Sequence, residues 1–229
     1  MFLDYNVSTD LIDVRKVCTG VMTTACPQLE FVQLVRKIRK AFKRHHIDLE
    51  IHSKLVPKLL LNEFYVNAYY CQVDDKNNEC AIELVVYHNI KSDTIFAAEQ
   101  IGQFLVQIYD AVVHEFRHRY QGRRRNFKCV HRDVDTNNTM SYLSDPDEVD
   151  AYALSISIEL IRHLGKARSV QYLHRASRLA KIRPKGLYAS VTLFHYFRLF
   201  DDEYSPVIRK LIKKVYLHLL TLDETAIFY

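Results

Sequence analysis

Residues 113–118 read Val-His-Glu-Phe-Arg-His, which sets His114 and His118 four apart with Glu115 between them. On an α-helix, residues four apart differ by about 40° in direction and about 6 Å in height. Both imidazoles then project from one face, as two ligands of a single zinc ion must. Glu115, one step round, falls outside that grip. It reaches a water acidified by the metal and accepts its proton as the water attacks a carbonyl. With 11 His and 11 Glu in 229 residues, such a pattern arises by chance only about 0.025 times per chain, so coincidence is a poor explanation.

Zinc needs a third protein ligand, and the segment Tyr-Leu-Ser-Asp-Pro-Asp-Glu-Val-Asp-Ala-Tyr-Ala offers Glu148 and Asp150. Two apart on a helix, they point about 160° away from each other, so only one faces the metal. Glu148 is the expected ligand, because the small residues Ala151 and Ser155 share its side and permit close helix approach. Asp150 is the alternative, and capping of the helix start is the structural role open to either acid. Between the two helices that would carry these ligands, Tyr142 and His131 are candidate donors to a transition-state oxyanion. Packing in a loop is the plainer role for each. His45, His46, His163, His174, His195 and His218 are read as structural.

These residues need helices to carry them. Apolar residues from Ile95 to Phe116 recur at helical spacing, predicting a helix from an Asp93 N-cap to about Gln121, ended by Gly122 and an arginine-rich run. Ser144-Asp145-Pro146 starts a second helix that runs to Leu164, with Gly165 at its end. Upstream, Gln28 to His45 reads as an amphipathic helix on Phe31, Leu34, Val35, Ile38 and Phe42. A β-like stretch follows at Ile47 to Ile51. Phe64 to Val73 and Cys80 to His88 then read as strands of a hairpin joined by Asp-Asp-Lys-Asn-Asn-Glu. Lys166 to Ala180, Leu187 to Phe200 and Ser205 to Leu222 read as further helices.

The predicted fold class is therefore α+β. Residues 1–165 form a metal-binding core and 166–229 a helical extension packed on it as one compact unit. Five scattered cysteines without CxxC spacing fit reduced thiols, with Cys71 and Cys80 the one pair placed to face across a hairpin. The expected setting is a reducing, cytoplasmic one. Asp4 and Asp10 stand where a secretory leader would be basic and then apolar, and no apolar run reaches a membrane span, so no membrane partner is expected. The net charge of +5 is concentrated in segments 36–44 and 117–132, each a candidate face for an acidic partner or nucleic acid. A solvated helix face and a basic loop are the plain alternatives.

With His114, Glu115, His118 and a downstream Glu148-Val149-Asp150-Ala151 in hand, the chain resembles the zincin metallopeptidases, and within them the gluzincin-like branch. The resemblance covers roughly Gln28 to Leu164. It implies His114, His118 and Glu148 as ligands of Zn2+, Glu115 as catalytic base, and a small, mainly antiparallel sheet beside the motif helix. The last strand before that helix would line the cleft for a peptide or protein substrate. One departure stands out: many members keep an aspartate four residues after the ligand glutamate to orient a ligand histidine, and here that position is Tyr152. The activity implied is that of a zinc-dependent metallopeptidase or amidase. Two other expectations stay open. One is a zincin fold serving as a structural or binding module in a larger assembly, virion-associated for instance, as in phage and mobile elements. The other is a nucleic-acid-binding protein acting through 36–44 and 117–132.

Overall fold

The computed structural model describes residues 5–25, 28–128, 138–179, 189–200 and 205–229. It is a mixed α and β fold, mostly helical, with small sheets. No described helix is long and apolar enough to cross a membrane. The described residues group into two compact units, one within Asp4–Phe127 and Phe228–Tyr229, the other within Lys128–Ile227.

The first unit opens on helix α1 (Tyr5–Thr24), an element the sequence reading passed over. Its Leu11, Val14, Val17, Cys18 and Val21 are buried at three- and four-residue spacing. Each such side chain contributes roughly 1.5–3 kcal/mol on burial. Strand β1 (Gln28–Glu30) and helix α2 (Phe31–Arg44) follow. The five apolar residues predicted for the α2 face are all buried, but the helix is shorter at its start than its periodicity implied. Gln28 to Glu30 pair instead with strand β5 (Ile95–Ala97) in an antiparallel ladder.

That pairing also corrects the start of the motif helix. Asp93 does not cap it; helix α4 (Ala98–Arg124) begins after β5, where Ala97 N–H donates to Gln100 Oε1 at 3.0 Å. Its far end was misread as well. Gly122 lies inside α4, where a Cβ would stand 2.8 Å from Tyr70 Oη, so glycine is there to admit that ring. Termination comes later, with Phe127 N–H donating back to Gly122 O at 2.8 Å.

A three-stranded sheet has the order β2 (Glu50–Leu55), β4 (Ile82–His88), β3 (Phe64–Tyr70). β3 and β4 are antiparallel, as read; β2 runs parallel to β4, so this sheet is mixed. The expected hairpin connection holds a short helix, α3 (Gln72–Lys76). The thiols of Cys71 and Cys80 are free. Because β4 has β2 on one edge and β3 on the other, its backbone is fully paired.

α3 exists to bury Asp75. Its side chain is 1% exposed and accepts from Arg123 Nη2 at 2.6 Å, Arg123 Nε at 3.0 Å, Arg119 Nε at 3.1 Å and Tyr70 Oη at 3.0 Å. Burial would push its carboxyl up, but the hydrogen bonds from Arg123 and Tyr70 and the charge of Arg119 hold it below the usual range. A depressed carboxyl contributes stability that is complete above the unfolded value of about 3.9 and lost as pH falls through its folded value. Asp75→Ala should cost about 2 kcal/mol near neutrality, since both arginines can partly rehydrate. Denaturant titration is expected to show that loss shrinking below pH 4, and a pH-independent difference would contradict the assignment.

The second unit is helical throughout its described residues: α5 (Thr139–Ser144), α6 (Pro146–Leu164), α7 (Lys166–Leu179), α8 (Val191–Leu199) and α9 (Pro206–Thr221), then a 3-10 turn at Glu224–Ala226. α6 begins where Asp145-Pro146 predicted, and Gly165 ends it at φ 73°, a conformation that favours glycine. The predicted boundary at residue 165 falls inside this unit, where α6 and α9 pack side by side. Ser157 Oγ donates to Val215 O across that packing at 3.2 Å.

Candidate metal centre

α4 carries His114, Glu115 and His118 in its C-terminal half, anchored by buried Ile108, Val112, Val113 and Phe116 on the core side. Both histidines are half-buried and Glu115 is 9% exposed. The helix brings His114 Nε2 and His118 Nε2 to 3.2 Å, with the rings tilted 71° and their centroids 4.9 Å apart. Two nitrogens bound tetrahedrally at 2.0–2.1 Å from one zinc stand about 3.3–3.4 Å apart. The observed 3.2 Å is close to that spacing and is also the length of a direct N–H···N hydrogen bond.

His118 is held from its other side. Its Nδ1 lies 3.0 Å from Oε1 of Gln121, one turn on in the same helix, and Gln121 is 8% exposed. Sequence reasoning missed Gln121, although a polar residue three places after a candidate ligand histidine shares its helix face.

Glu148 sits in the first turn of α6. The Asp145 side chain fixes that turn, its Oδ1 accepting from Asp147 N at 2.7 Å and from Glu148 N at 3.4 Å. His114 and His118 belong to the first unit and Glu148 to the second. Asp150, the alternative ligand, is 5% exposed and faces α9, where Lys214 Nζ is 2.8 Å and His218 Nε2 3.6 Å from its carboxylate.

The remaining candidates fare differently. Tyr142 is half-buried on α5, a short helix where a loop was expected. His131 lies outside the described residues. Tyr152 packs edge-on against Tyr196, ring centroids 5.7 Å apart. Tyr196 donates to Leu143 O at 3.2 Å, and its hydroxyl pKa is pushed well up, by burial first and then by the neighbouring Tyr152 and Glu148.

The basic run after the motif is partly consumed by the fold. Arg119 and Arg123 are bound to Asp75, and the guanidinium of buried Arg117 lies 5.2 Å from the Tyr120 ring centre. Arg124 and Lys128 remain exposed. In the 36–44 segment, Arg39 donates to Ile51 O at 2.6 and 3.0 Å and Lys37 to Thr24 O, while Arg36, Lys40, Lys43 and Arg44 stay exposed. Compared with protein-family models, curated proteins and solved structures, the chain matches none.

Proposed function

We propose that His114, His118 and Glu148 hold a zinc ion and that the chain hydrolyses peptide or amide bonds with Glu115 as general base. The observation that carries this reading is the pair of imidazole nitrogens, His114 Nε2 and His118 Nε2, brought to 3.2 Å on one helix, with buried Glu115 between them in sequence. Two neutral imidazoles and a carboxylate suit zinc, and three protein ligands leave a position open for reactants. When bound, zinc supplies a Lewis acid that polarises a carbonyl and brings the pKa of water toward neutrality.

The chain's own residues do the rest. Glu115 takes the proton from the attacking water and returns it to the departing nitrogen, so the amine leaves neutral. The buried surroundings of Glu115 strengthen each charge interaction it makes relative to bulk water. The Asp145 cap fixes the backbone that presents Glu148.

A mixed peptide library incubated with the protein and read by mass spectrometry tests the activity. Cleavage is expected to stop with a strong chelator and to return with added zinc. Cleavage indifferent to chelation would contradict the reading.

A further inference from the structure

Resting on that metal reading, we propose that Gln121 is a positioning residue of the centre: its amide oxygen accepts Nδ1–H of His118 and thereby keeps Nε2 of His118 as the bare, ligating nitrogen. A neutral imidazole has one N–H and one lone pair, so fixing the proton on one nitrogen frees the other. Here Nδ1 meets Gln121 Oε1 at 3.0 Å and Nε2 meets His114 Nε2 at 3.2 Å. Two N–H groups cannot face each other at that separation, so one of the two Nε2 atoms must be bare. The Gln121 contact selects His118 for that state.

The acceptor is built to persist. Gln121 is 8% exposed and lies one helical turn from its partner, so backbone geometry holds the pair together without a loop or a second element. Related peptidases assign this task to an aspartate four residues past the ligand glutamate. In this chain that position is Tyr152, whose ring packs on Tyr196, and the orienting group comes from the motif helix itself. The substitution has a chemical consequence. A carboxamide aligns the imidazole but adds no negative charge, so His118 is a less basic ligand than one backed by a carboxylate.

Zinc affinity of the full chain, measured by competition with a chromophoric chelator, and the His118 tautomer, read by 15N NMR of zinc-free protein, test the assignment together. Gln121→Leu is expected to weaken zinc by roughly 10–100-fold and to let His118 populate the other tautomer. Gln121→Glu keeps the acceptor and adds charge, so it should hold the Nδ1–H tautomer and bind zinc at least as tightly as wild type. Zinc affinity and tautomer unchanged in Gln121→Leu would overturn the role. So would weaker zinc binding in Gln121→Glu, a variant that decides the matter even where the leucine protein fails to fold. Wild type that takes up no zinc overturns the metal reading, and this role with it, before any substitution is made.

Discussion

Glu115→Gln is expected to keep about one zinc per chain while peptide cleavage falls by roughly 10²–10⁴-fold, the usual contribution of a positioned general base. That range corresponds to about 3–5 kcal/mol of transition-state stabilisation. Glutamine fills the same buried volume on α4, and Glu115 is not among the three proposed ligands, so folding and metal uptake should survive. What disappears is the capacity to accept a proton. Zinc lost from this variant would make Glu115 a ligand rather than a base, and full activity would place the base elsewhere. A fall in kcat with KM unchanged is the signature expected of an interaction made only in the transition state.

The second large effect concerns the ligands. Structural zinc sites bind with apparent energies of about 10–16 kcal/mol over four ligand positions, or roughly 3 kcal/mol for each. His118→Ala and Glu148→Ala should each weaken zinc by about 100-fold or more. Asp150→Asn is the informative contrast. Its carboxylate is engaged with Lys214 and His218 on α9, so this variant should retain zinc and lose thermal stability. The opposite pattern, zinc lost in Asp150→Asn and kept in Glu148→Ala, would exchange the two acids. Isothermal titration with zinc, paired with a melt of each variant, separates the two outcomes.

Much of this arrangement was legible in the sequence where one physical signal dominated. α6 announced both its ends, through Asp145-Pro146 and Gly165, because caps and a left-handed stop are local chemistry. The buried face of α2 and most of α4 followed from helical period alone. β5 did not, since Phe96 fits a helical stripe as well as a strand and its pairing with β1 spans more than sixty residues. Ile95, read as part of the helical face, is 56% exposed. α1 was overlooked although Leu11, Val14, Val17 and Val21 carry its period; the acids near the terminus were weighed only against a secretory leader.

The polar interior was the least legible part. Asp75 stands in a string of polar residues that reads as a turn, and only the fold brings Arg119 and Arg123, 44 and 48 residues on, to bury it. Those arginines had looked like an uncompensated basic run. Gly122 looked like a helix end because its reason, the Tyr70 ring, lies on another element. The closeness of His114 and His118 was readable because their spacing on a helix is itself the geometry. Gln121 obeys the same spacing rule, three residues after His118, but belongs to no motif that would single it out.

The most direct test is the metal content of the purified full-length chain and of His118→Ala, measured by elemental analysis after exhaustive dialysis. About one zinc per wild-type chain and none in the variant is the result this account predicts. A folded wild type that carries no zinc and takes up none when it is added would contradict it.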